Sequence, residues 1–126
     1  MGVEHMKVIA EVTFSPLGTA TPSVSAYVAA ALAELAQHPD VQYQLGPMGT
    51  VLEGERAAVI AAVEAMNEAV FRAGAQRVGT SLKIDERRDR ATSMQHKMDA
   101  VQALLDPPAF GDPTPGRVAD DPLIHD

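Results

Sequence analysis

Apolar and polar residues alternate from Val8 to Ser15. Val8, Ala10, Val12 and Phe14 fall on one side of an extended chain, and Glu11, Thr13 and Ser15 on the other. A period of two predicts a half-buried strand. The period then changes. Val24, Tyr27, Val28, Ala31, Leu32 and Leu35 make one apolar stripe at helical spacing, with Thr21 as cap, Pro22 as first helical residue and Pro39 as the stop. Val41, Tyr43 and Leu45 alternate with Gln42 and Gln44, Gly46-Pro47 interrupts, and Met48 to Glu53 is again extended. That pattern predicts a hairpin.

Gly54-Glu55 opens a second predicted helix with an acidic first turn, favourable to the helix dipole. Its stripe is Val59, Ile60, Val63, Met66, Val70 and Phe71, and Gly74 is placed to end it. Val78, Thr80, Leu82 and Ile84 alternate with Gly79, Ser81, Lys83 and Asp85 in a fourth strand. Thr92 with Gln95 fits a capping box before a third helix, whose apolar edge is Met94, Met98, Val101 and Leu105. The order βαββαβ is that of ferredoxin-like α+β sandwiches, in which two helices cover one face of a four-stranded antiparallel sheet. Here an extra C-terminal helix follows. The uncovered face is expected to carry Glu11, Thr13, Gln42, Gln44, Val51, Glu53, Ser81, Lys83 and Asp85. Such a face meets either water or a second sheet, and unpaired edges invite association.

The 126 residues suit one domain. Residues 1–6 read as a flexible leader, 7–105 as the folded domain, and 106–126 as an acidic, Pro-rich disordered tail. That tail holds five of the nine prolines and a net charge of −4, leaving −3 of the total −7 for the rest. Neither part offers a basic footprint for nucleic acid or an anionic membrane. No run is long and apolar enough to span a bilayer, and no secretory leader pattern opens the chain. Cysteine is absent, which removes disulfides and thiolate chemistry. The expected compartment is the cytoplasm.

Candidate chemistry is sparse. Ser15-Pro16-Leu17-Gly18-Thr19 leads toward a helix N-terminus, where free N–H groups attract polar ligands, yet no Gly-Lys-Ser/Thr follows as in a phosphate loop. A tight, well-capped connection explains the same residues. Glu11 and Glu53 on neighbouring strands could share a proton or grip an amine, with Lys83 and Asp85 on the same face. Mutual ion pairing is the plainer account of those charges. Thr50 and Thr80 fall on the apolar side of their strands, where hydroxyls either bond to backbone or read a heterocycle in a pocket. His5, His38, His96 and His125 lack metal-binding spacing. No nucleophile elbow is present, and no cofactor is expected.

Four segments, in order, resemble the thiamine-binding family long known as an uncharacterised protein family and related to YkoF-type thiamine/hydroxymethylpyrimidine-binding domains. They are Ala10-Glu11-Val12 through Ser15-Pro16-Leu17-Gly18-Thr19, then Ser23 to Val28, Pro47 to Gly54, and Lys83 to Asp89. The resemblance implies a non-catalytic subunit that binds thiamine or its pyrimidine moiety and assembles as a homodimer or homotetramer through sheet faces and edges. Carried over by position, it implies ligand contacts at Ser15, Gly18, Thr19, Ser23, Thr50, Glu53 and Lys83. The acidic tail departs from the family pattern.

Acylphosphatases and RNA-recognition domains share the strand order; the latter stack bases on aromatics of the open sheet face, and this face carries none on an acidic chain. An acylphosphatase needs an Arg in the loop after the first strand, and residues 15–20 contain none. A structural or regulatory oligomer without a vitamin ligand needs nothing that the chain lacks.

Overall fold

A computed structural model of the protein describes residues 7–91 and 93–105. The predicted leader and acidic tail, and the Thr92 half of the capping box, lie outside the described residues. The elements are β1 (Val8–Pro16), α1 (Ser25–Leu35), β2 (Gln42–Leu45), β3 (Thr50–Gly54), α2 (Arg56–Arg72), β4 (Val78–Asp85) and α3 (Met94–Gln102). They form one antiparallel sheet in the order β2-β3-β1-β4, the ferredoxin-like arrangement, with α3 as the added helix. Residues up to Met94 form one compact unit, and a shorter unit begins at Gln95.

Strand register separates two faces. Leu52, Ala10 and Ile84 are aligned across β3, β1 and β4, as are Thr50, Val12 and Leu82. This is the face that α1 and α2 cover. Val8, Ala10, Val12 and Leu52 are buried there with Leu35 of α1 and Val59, Val63, Met66 and Val70 of α2. Fully burying each larger side chain contributes about 1.5–3 kcal/mol, so this single layer supplies most of the cohesion.

On the reverse face, Gln42, Glu53, Ile9 and Asp85 share one row, and Gln44, Val51, Glu11 and Lys83 the next. The expected composition of that face holds, but its openness does not extend everywhere. Glu53 is 5% exposed and Ile9 9%, because the chain returns after β4 and the Met94 N–H reaches the Glu53 carboxylate.

Three local expectations need correction. Helix α1 begins at Ser25, with Val24 rather than Thr21 at its N-cap and no side-chain cap bond. The Thr21 hydroxyl instead accepts the Ser23 N–H at 3.2 Å, a local turn that competes with helix. Helix α2 has no acidic residue in its first turn, since Glu55 stands outside it as N-cap. In β2 every residue is exposed, Tyr43 and Leu45 included. An edge strand gains the neighbours that alternation promises only if a helix or another strand lies over it.

Candidate functional site

A cavity of about 190 Å³ opens on the helix-covered face, at the end of the sheet where the β2–β3 turn lies. Its walls come from Val12–Phe14 of β1, from Val24, Val28 and Leu32 beside or within α1, and from the turn Leu45–Gly49 with Thr50. Met66 of α2 completes the lining and is 1% exposed. An apolar cavity of about 150 Å³ accepts benzene, so this one fits a single substituted six-membered ring.

The turn that forms one wall is tightly specified. The Gly46 N–H donates to the Gly49 carbonyl at 2.8 Å. A Cβ on Gly46 would come within 2.9 Å of that carbonyl oxygen, and one on Gly49 within 3.0 Å of Thr13 Cγ2. A side chain at Gly46 would press on backbone, whereas one at Gly49 would need the Thr13 methyl to give slightly, and between them Met48 projects with 86% of its surface exposed.

Polarity in the cavity is sparse and well placed. Thr50 is 6% exposed and is part of the cavity wall. A hydroxyl can donate and accept at once, which suits a heterocycle edge. No charged side chain lines the cavity. This has a sequence correlate that alternation does not reveal: residues 12–33 and 41–52 contain no Asp, Glu, Lys, Arg or His. Every lining residue except Met66 lies in those two stretches.

The expected contacts do not all gather here. Of them, Thr50 lines the cavity. Gly18, Thr19 and Ser23 belong to the β1–α1 loop that leads into Val24, a wall residue. Gly18 has φ of +72°, where glycine is favoured. The Thr19 hydroxyl donates to the Thr21 carbonyl at 2.7 Å, so it helps shape that loop. Ser15 is exposed opposite Gly79 at the end of β1, and Lys83 is exposed opposite Glu11; both are on the reverse face.

Glu53 is also on the reverse face, where it accepts the Met94 N–H at 2.7 Å and lies 3.8 Å from Lys7 Nζ. Glu11 is directly opposite Val51, so it and Glu53 are diagonal rather than facing neighbours. Thr80 lies on the helix side as alternation predicts, and its hydroxyl donates to Asn67 Oδ1 at 2.7 Å. Sequence reasoning missed the apolar walls, Val28, Leu32, Leu45, Met48 and Met66, which it placed in helical stripes or strands.

Two basic residues after β4, Arg87 and Arg88, are engaged with acids. Arg87 pairs with Asp89 through two hydrogen bonds and Arg88 with Glu86, which also lies 3.7 Å from Arg56. The bond from Arg87 holds the exposed Asp89 carboxyl down at about 2. No group of metal-ligating residues occurs among the described residues, and no helix there is long and apolar enough to cross a membrane.

A family profile described as thiamine-binding protein matches residues 10–102, the stretch from β1 through α3. The chain belongs to that family. It is 44% identical over 102 residues to UPF0045 protein YqgV of Bacillus subtilis, covering 79% of this chain and 98% of YqgV. The crystal structure of protein MJ1052 of Methanocaldococcus jannaschii matches with a TM-score of 0.70 and 38% identity, over 75% of this chain and 95% of that one. A Thermotoga maritima protein named for thiamine biosynthesis or salvage matches with a TM-score of 0.65 over 75% of this chain and 98% of its own. At 19% identity that likeness shows the shared fold alone.

Proposed function

We propose that this protein is a non-catalytic, cytoplasmic binder of thiamine or its hydroxymethylpyrimidine moiety, acting as a homo-oligomer. The supporting observation is the uncharged, single-ring cavity with the Thr50 hydroxyl in its wall, in a chain of the thiamine-binding family. An aminopyrimidine edge offers both donors and acceptors, and the Thr50 hydroxyl can meet either. The apolar walls suit the ring faces. Because no carboxylate lines the cavity, the neutral pyrimidine is the half assigned to it, with the cationic thiazolium of thiamine left toward the exposed Met48 lip.

In this reading Thr50 is the principal contact, and the Gly18, Thr19 and Ser23 loop borders the entrance. Ser15, Glu53 and Lys83 belong to the other face of the sheet and are given no contact in the cavity. Nothing in the proposal requires a cofactor or a nucleophile.

Thermal-shift measurements with thiamine, its phosphates and hydroxymethylpyrimidine test it. Ligand at a hundred times its dissociation constant adds about 2.7 kcal/mol, a visible rise in Tm. Stabilisation by the free pyrimidine supports the assignment. If none of these compounds stabilises the protein, the vitamin reading fails and the ligand-free oligomer replaces it.

A further inference from the structure

Two methionines line the cavity, and they lie at opposite extremes of exposure. Met66 of α2 is 1% exposed, while Met48 on the β2–β3 turn is 86% exposed. Met94 and Met98, the other described methionines, are half-buried. The remaining lining side chains are aliphatic, Phe, Pro and Thr, with two glycines. The chain has no cysteine, so these thioethers are the oxidisable sulfur of the cavity. Leu45 and Val24, exposed beside Met48 at the rim, are apolar. The Gly46–Gly49 hydrogen bond closes the turn that carries Met48, so a peroxide reaches its sulfur without any opening of the fold.

We propose that Met48 is a modification site oxidised by hydrogen peroxide, and that its sulfoxide weakens the binding of an uncharged ring in the cavity. This rests on the ring-binding reading above and gives that site a regulation. The sulfur lone pair attacks one peroxide oxygen, an S–O bond forms, the O–O bond breaks, and the second oxygen leaves as water. Sulfur is oxidised by two electrons and the peroxide is reduced by two. A flexible apolar side chain thereby becomes a polar one, and its oxygen adds a strong, hydrated acceptor to a rim that has no charge. The thioether contact that Met48 could offer a ring is lost with it. Burial of Met66 keeps the inner wall apolar in both states.

Brief treatment of the full chain with dilute hydrogen peroxide, followed by peptide mass mapping, tests the site. One added oxygen should appear at Met48 before Met94 and Met98, and at Met66 last. Oxidation of Met66 as fast as Met48 would overturn the inference. Calorimetry with hydroxymethylpyrimidine reads the consequence. Affinity should fall about two- to tenfold on oxidation, the worth of one thioether–ring contact. Met48→Gln should show a loss of the same size without oxidant. Met1 and Met6 lie outside the described residues, so Met48→Leu is treated alongside. Whatever its own affinity, that variant should not change with peroxide. Equal affinity before and after oxidation of Met48, or an equal loss in treated Met48→Leu, would overturn the inference.

Wild type that binds no pyrimidine before treatment refutes the vitamin reading instead. The cavity is then read without ligand, through the Met66 methyl resonance. It should move when Met48 is oxidised and stay in place in treated Met48→Leu. A resonance unmoved in both refutes the oxidation switch on its own account.

Discussion

Thr50 and Glu53 begin and nearly end the same short strand, are almost equally buried, and have opposite tasks. Thr50 points to the helix side, where an uncharged cavity lies before it. Glu53 points to the reverse side, where its carboxylate is engaged by the Met94 N–H and approached by Lys7. One buried polar group faces a cavity and the other is spent on structure. Residue type alone would have ranked them the other way, since a carboxylate looks more like a ligand contact than a threonine does.

That contrast can be broken from either end. The largest effect is expected from Glu53→Ala, which leaves the Met94 N–H without its acceptor. Hydrogen bonds to charged groups contribute about 1.5–3 kcal/mol, so chemical denaturation should show a loss of that order, with ligand affinity unchanged. A loss of affinity without a loss of stability would make Glu53 a contact after all.

Gly46→Ala comes next, because its Cβ would press on the Gly49 carbonyl oxygen. Overpacking of this kind costs about 1–3 kcal/mol. The clash is with backbone, so the turn itself must shift, and the cavity wall deforms with it. Calorimetry should therefore show weaker pyrimidine binding alongside a modest fall in Tm.

Thr50→Val sharpens the comparison most cleanly. It removes the hydroxyl from the cavity wall at nearly constant volume and should change stability little, while affinity falls about tenfold, or 1.4 kcal/mol. Unchanged affinity would remove Thr50 from the site.

The smallest effect concerns neither end of β3. Asp89 titrates at about 2 in the folded chain because Arg87 bonds to it, below its ordinary value near 3.8. A lowered folded pKa means that the pair's contribution is complete above that ordinary value and disappears as pH falls through about 2. Because Asp89 is exposed, an NMR titration of its carboxyl should report the shift with little change in global stability. A midpoint near 3.8 would show that the pair does not persist in solution.

Much of this architecture was legible in the sequence for a definite reason. Period two in β1 and β4 and the helical stripe of α2 each describe an element with one buried side, and packing rewards that pattern directly. β2 obeys the same alternation without the reward, because it lies at an edge. The start of α1 was misplaced because Thr21 satisfies the Ser23 N–H in a turn before the helix begins. The position of Thr50 on the apolar side was readable, but its cavity was not, since a void depends on how α1, α2 and the β2–β3 turn come together. Long uncharged runs at 12–33 and 41–52 were the available signal. The job of Glu53 could not be read at all, as its partner Met94 lies 41 residues away.

The central claim is that the uncharged cavity at Thr50, rather than the polar reverse face, receives the ligand. Amide chemical-shift mapping during titration with hydroxymethylpyrimidine and then thiamine tests it most directly. The account predicts that the largest shifts fall at Gly46, Met48, Gly49, Thr50 and Val28. Shifts centred instead on Glu11, Ser81 and Lys83 would contradict it.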